Sequence, residues 1–108
     1  MGLDIDFLYT DGEMVTDEIT DTEEGYNHYH IKNLIQYYGN FWDLNMFFVN
    51  KFKNRDINSE YIELDYDMLM ELKEYFEGHE KYGEVSDLVR RCLEKINKGK
   101  RIFYYPNW

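Results

Sequence analysis

Leu3, Ile5, Phe7 and Tyr9 alternate with Asp4 and Asp6, the period-two pattern of a strand with one buried face. Asp11-Gly12 predicts a turn. Met14 to Thr20 then returns as a second strand, because Asp-Gly between two β-prone runs is a strong hairpin signal. Asp21 stands three residues before Glu24, at capping-box spacing. The stretch from about Thr22 to Tyr38 therefore reads as a helix, with Tyr26, Tyr29 or His30, Leu34 and Tyr37 on its apolar face. Gly39-Asn40 ends it. Phe41 to Phe52 follows with Leu44, Phe47, Phe48 and Phe52 at helical spacing, although Leu44, Met46 and Phe48 would also suit a strand. Lys53 to Asn58 is polar apart from Ile57 and predicts a surface loop.

Ser59 to Leu64 is a short strand candidate, after which Asp65 or Asp67 can accept the free amides of a helix start. Met68, Leu69, Leu72, Tyr75 and Phe76 form the apolar stripe of that helix, Asp67, Glu71 and Glu74 line another face, and Gly78 supplies a left-handed stop. Ser86 is placed to cap a last helix with the stripe Leu88, Val89, Cys92, Leu93 and Ile96 and Gly99 as its stop. Asp87 to Arg91 and Glu94 to Lys98 are i,i+4 pairs in the favourable order, each adding roughly 0.2 to 0.5 kcal/mol. His79, just past a helix end, suits a capping role against the negative end of the dipole. Arg101 to Tyr105 reads as a closing strand that Pro106 stops. This order of elements predicts one α+β domain over residues 1–108: a small, mostly antiparallel sheet with three to four helices packed on one face.

Charge changes the picture more than length does. The net charge is −10 over 108 residues, and the first thirty-one residues carry nine carboxylates and no Lys or Arg before Lys32. Such a chain repels nucleic acid and anionic membrane, which predicts neither as a direct ligand, and it favours a monomer or weak dimer. Eleven tyrosines suggest a core and rim built from rings whose hydroxyls reach water or a partner. Cys92 is the only cysteine, which rules out a disulfide within the chain and a four-sulfur zinc site. No leader, spanning segment or lipid signal is legible, and a cytoplasmic location is expected.

Met1-Gly2-Leu3-Asp4 opening a strand, the aromatic segment around Trp42 and Asn45, the Tyr61 to Leu64 strand leading into the Leu69 and Leu72 helix, and the run Phe103-Tyr104-Tyr105-Pro106-Asn107-Trp108 carry a resemblance. Together they resemble a loose family of small phage and prophage proteins that begin with the same four residues and end in an aromatic strand with a final Trp. The resemblance implies an origin in phage DNA and action in the host cytoplasm, and no assigned activity. Family members often place a His three residues after the Asn of the aromatic helix. Phe48 stands there in this chain, so no family catalytic residue carries over.

Reaction chemistry finds few footholds. Asp4 and Asp6 have the spacing of an Asp-x-Asp metal or phosphatase pair, but Leu8 stands where a haloacid-dehalogenase-type phosphatase needs Thr, and a solvated strand face explains the pair. His28 and His30 would point about 200° apart on a helix and cannot grip one ion there, although on a strand they could. Glu24 and His28 share a helix face without a third ligand. Ser59 and Ser86 are assigned to element starts, and neither Gly-x-Gly nor Gly-Lys-Ser/Thr occurs. Arg90, Arg91, Lys95, Lys98, Lys100 and Arg101 form a basic end of the kind that complements a helix dipole. No catalytic residue, metal or cofactor is predicted.

The acidic positions are the strongest candidates. A two-residue hairpin loop sets Asp6 opposite Asp17, and a three-residue loop sets it opposite Glu18; like charges across a ladder destabilise it. Either the cluster is kept for a cationic partner or residues 13–20 are loop and the charges spread into water. The partner-binding set is then Asp4, Asp6, Asp17, Glu18, Asp21, Glu23, Glu24, Asp67, Glu71 and Glu74. Carboxylates recurring about every 7 Å on a strand and about every 5 to 6 Å on a helix approach the roughly 6 to 7 Å between successive phosphates. The first expectation is an acidic inhibitor that mimics nucleic acid and blocks the basic surface of a host nucleic-acid-handling or defence protein, of anti-CRISPR or other anti-defence type. The alternatives are a small hydrolase or metal-dependent enzyme using Asp4 or Asp6 with His28 or His30, and a Tyr-rich module that binds a peptide or small molecule.

Overall fold

A computed structural model of the chain describes residues 2–10 and 33–108. The alternation at the start builds β1 (Asp4–Thr10), in which Ile5 and Phe7 are buried while Asp4 is exposed. The other elements are β2 (Asn33–Gly39), α1 (Trp42–Lys51), β3 (Ile62–Leu64), α2 (Tyr66–Tyr75), α3 (Tyr82–Asn97) and β4 (Arg101–Asn107). The strands pair antiparallel throughout in the order β2-β1-β4-β3. The described residues therefore form an α+β fold with a four-stranded sheet and three helices.

One face of the sheet carries the main core. Ile5, Phe7, Ile62, Leu64, Ile102 and Tyr104 from the strands pack with Leu44, Phe48, Leu69, Leu72, Val85 and Leu88 from the helices. Burying each large apolar side chain contributes about 1.5 to 3 kcal/mol. At its centre Phe48 stacks on Tyr104 with ring centroids 3.9 Å apart, and the Tyr104 hydroxyl donates to Asn45 Oδ1. That bond satisfies a buried hydroxyl and a buried amide oxygen together. Burial alone holds the Tyr104 phenol far above its ordinary pKa. Tyr38 packs edge-on against Phe7 and Phe41, and its buried hydroxyl has no hydrogen-bond partner among the described residues. Burial, with Glu84 nearby, pushes that phenol up to about 12. The opposite sheet face carries a smaller cluster in which Leu8 and Phe103 pack with Tyr61 and Tyr105.

The segment from Phe41 to Phe52 is helical, with Leu44, Asn45, Phe47 and Phe48 turned inward. Several sequence expectations are corrected. Residues 33–38, read as the end of a long helix, are β2: backbone pairing with β1 outweighs a weak helical pattern. Leu34 and Tyr37, assigned to the buried face of that helix, are 54% and 47% exposed, and Tyr38 is buried instead. A register shift between Phe7 and Leu8 blurs the alternation of this strand. Asp6 stands opposite Tyr37 in β2 and Tyr105 in β4, so the ladder sets tyrosines and not a carboxylate across from it. The expected turn at 11–12, the strand at 14–20 and the helix over 22–32 lie outside the described residues.

Ser86 does not cap α3, which begins a full turn earlier at Tyr82 with Lys81 as its boundary residue. Gly83 in the first turn disguised that start. His79 serves the same end, since its Nδ1 accepts the Lys81 N–H at 3.0 Å and its Nε2 lies 2.9 Å from Asp43 Oδ2. Its ring thus links the entry of α3 to α1, while its backbone N–H closes the end of α2 by donating to the Phe76 carbonyl at 2.9 Å. The strand expected from Ser59 shrinks to Ile62–Leu64, and Ser59 itself has a positive φ of 63°. Pro106 does not stop β4, which runs to Asn107 with Pro106 opposite Ile5. The N–H and C=O of a strand residue point to the same neighbour, and the Pro106 carbonyl accepts from Ser59 N–H at 2.8 Å. The missing N–H therefore faces the side where β3 has already ended, so no ladder bond is lost.

Candidate functional site

Of the acidic positions singled out above, the described residues hold five, in two rows. The first row lies on α2. Asp65 starts this helix by accepting the Met68 N–H at 2.8 Å, and Leu69, Leu72 and the following Phe76 are fully buried. With that face anchored, the 3.6-residue period turns Asp67, Glu71 and Glu74 outward, and all three are exposed. Together with Glu77, Lys73 and Tyr82 they line a shallow groove of about 430 Å³. Asp67 and Glu74 are separated by about 10 Å along the axis. Lys51 of α1 pairs with Glu71. Asp67, Glu74 and Glu77 make no ion pair among the described residues.

The second row is Asp4 and Asp6 on β1. Both point away from the helices, because Leu3, Ile5 and Phe7 point toward them. Asp4 accepts the Tyr37 hydroxyl, and this bond to a carboxylate raises the Tyr37 pKa, with a smaller charge effect from Asp6. Beside Asp6, Tyr105 stacks on Tyr61 with centroids 4.4 Å apart. Burial raises the Tyr61 pKa, and Tyr105 and Asp6 add to it. The structure thus merges two sequence features, the paired aspartates and the tyrosines, into one face. It does not merge the two acidic rows, which lie on opposite sides of the sheet and cannot enter one flat groove together.

Asp17, Glu18, Asp21, Glu23 and Glu24, and with them His28 and His30, lie outside the described residues. Among the described residues no three His, Cys, Asp or Glu side chains converge on a point that could hold a metal. Cys92 is buried, and desolvation pushes its thiol up to about 12, far from a reactive thiolate. Ser59 Oγ bonds Asn107, with no base beside it in that contact. Arg90 binds Asp87 and Glu94, while Arg91 binds Asp87, the Ile35 carbonyl and Gln36. Arg101 binds Glu63, so the arginines of the basic end are consumed by structure.

The stacked Tyr61 and Tyr105 and the ring contact of Trp42 with Trp108 were not singled out from the sequence. The aromatic run at 103–108 was the only available signal, and pairing across strands and to α1 decides which rings meet. No helix among the described residues is long and apolar enough to cross a membrane. No family model, curated protein or solved structure matches this chain.

Proposed function

We propose that the protein is an acidic binding protein that docks on the basic surface of a partner, occupying the place of nucleic-acid phosphates. One observation supports this above the others: α2, anchored by its buried face, holds Asp67 and Glu74 exposed and without an ion pair among the described residues, while all four arginines are tied up in ion pairs. Rigid, unneutralised carboxylates present a pre-organised field to a cationic groove without ordering cost at binding. In this reading the partner is a nucleic-acid-handling or defence protein of a host cell, met in the cytoplasm, and the chain acts as its inhibitor.

Affinity capture from a bacterial lysate tests it. The wild-type chain is expected to retain nucleic-acid-binding proteins that elute as salt rises and are displaced by added duplex DNA. A retained set indifferent to salt and DNA sinks the proposal, and so does tight binding of free DNA or RNA, below about 1 µM in a gel shift. Asp4, Tyr37, Tyr61 and Tyr105 support a second reading, recognition of a cationic peptide on the sheet face, where carboxylate and ring faces lie side by side.

A further inference from the structure

Both tryptophans of the chain lie on its surface and touch each other. Trp42 opens α1 and is 43% exposed, Trp108 follows β4 and is 36% exposed, and their ring centroids are 6.3 Å apart at 60°. Met46, one turn along α1 from Trp42, is 42% exposed and extends the patch. The core does not require this pair. Even so, the backbone beneath Trp108 is fixed at several points. Asn58 Nδ2 donates to the Trp108 carbonyl at 3.0 Å, and the Trp108 N–H donates to Asn58 Oδ1 at 2.8 Å. Ser59 N–H bonds Pro106, and Ser59 Oγ bonds Asn107. Ser59 holds a left-handed φ of 63° to do so, a strained conformation for a non-glycine residue.

An exposed aromatic pair on a fixed and strained support has the attributes of a binding anchor, since indole supplies large contact area with little side-chain entropy to lose. Charge selects what it takes. Carboxylates stand next to the pair in the chain and its support: Asp43, which faces His79, follows Trp42, and Asp56 accepts the Asn58 N–H at 3.0 Å. A second copy at −10, or a nucleic acid, would be repelled. We propose that Trp42 and Trp108 receive an arginine or lysine side chain of the protein partner, its cationic head against the indole faces and its alkyl stem along Met46. This rests on the reading of the partner as cationic and adds the place where it is anchored.

Because the chain has two tryptophans and both are here, its tryptophan emission, excited where its eleven tyrosines do not absorb, reports on this site. Titration of the whole protein with an oligo-arginine peptide is expected to change the emission saturably. Trp42→Ala should weaken peptide affinity, measured by calorimetry, about tenfold, with Trp42→Phe retaining most of it. Circular dichroism checks that both variants fold, as exposure of Trp42 leads one to expect. Neutralising α2 with Asp67→Asn and Glu74→Gln should lower affinity and leave the emission change at saturation intact. Peptide binding without an emission change, or with unchanged affinity in Trp42→Ala, overturns the anchor while leaving the acidic reading standing if the α2 variant still weakens binding. Absence of any peptide binding overturns both, and self-association through the patch in sedimentation overturns the choice of a cationic occupant.

Discussion

Helices α2 and α3 pack side by side on the same sheet, and both pair a buried apolar stripe with an acid-rich outer face. They treat that acid differently. On α3, Asp87 is held by Arg90 and Arg91, Glu94 by Arg90, and Glu84 lies 3.7 Å from Lys81, so its charges close on themselves. On α2, among the described residues, only Glu71 has a cation, and that comes from α1. Composition is nearly blind to this distinction, because both helices contain carboxylates and cations in one sequence window. What differs is spacing: Arg90 and Arg91 stand three and four residues from Asp87, within reach on one face, whereas no cation stands at that offset toward Asp67. The acid of α3 is consumed by its own helix, and that of α2 is left to meet something else.

If the helices differ only on the outside, their inner faces should answer alike. Leu72→Ala in α2 and Leu88→Ala in α3 each remove a fully buried side chain, and each is expected to cost about 2 to 5 kcal/mol in urea unfolding. A loss under about 1 kcal/mol for Leu72→Ala would mean that α2 is not firmly anchored on the core. The outer faces should then diverge. Reversing Asp67 and Glu74 to Lys is expected to reduce affinity for the captured partner about a hundredfold, near 2.7 kcal/mol, with the melting temperature unchanged or raised. Neutralising Asp87 and Glu94 should change affinity less than about threefold. Equal losses from both helices would erase the distinction between closed and open acid.

The interiors of both helices were legible because a 3.6-residue stripe persists through each and a left-handed glycine, Gly78 or Gly99, marks each end. The stripe failed only at its rim, where Tyr75 was expected inward and is 49% exposed. β1 was legible for the corresponding reason, a clean alternation. β2 was not. Its outward residues include Leu34 and Tyr37, its inward ones include Gln36, which meets Arg91, and it becomes a strand by pairing with β1. Such an element is defined by its neighbour and not by its own period. The candidate site divides similarly: outward placement of Asp67, Glu71 and Glu74 follows from helix geometry alone, whereas their separation from Asp4 and Asp6 by the sheet depends on topology. Ser86 misled because it has the right chemistry for a cap, while the true start of α3 at Tyr82 is obscured by Gly83.

The starts of the two helices provide a smaller contrast. Asp65 caps α2 through its carboxylate, and Lys81 offers α3 no side-chain cap. Asp65→Ala is expected to cost about 0.5 to 2 kcal/mol, and Ser86→Ala, inside α3, should fall within about 0.5 kcal/mol of wild type. A larger loss from Ser86 than from Asp65 in thermal unfolding would restore Ser86 as a structural residue.

The smallest effect expected is a pH dependence confined to α3. Hydrogen bonds from Arg90 and Arg91 hold the Asp87 carboxyl below its ordinary value of 3.8. A carboxyl with a depressed folded-state pKa binds fewer protons folded than unfolded just below that value, so its contribution is fully present above about pH 4 and is lost as pH falls through the folded pKa. Exposure to solvent keeps that contribution modest. Asp87→Asn removes it at every pH. The melting temperature of wild type should therefore exceed that of Asp87→Asn by a small constant amount from pH 7 down to about pH 5, and the gap should close toward pH 2. The general fall in stability under acid cancels in this difference, because both proteins share every other carboxylate. Asp67→Asn on α2 is the matched comparison. A gap for Asp67→Asn as large as that for Asp87→Asn, closing in acid in the same way, would mean that α2 closes its charges as α3 does.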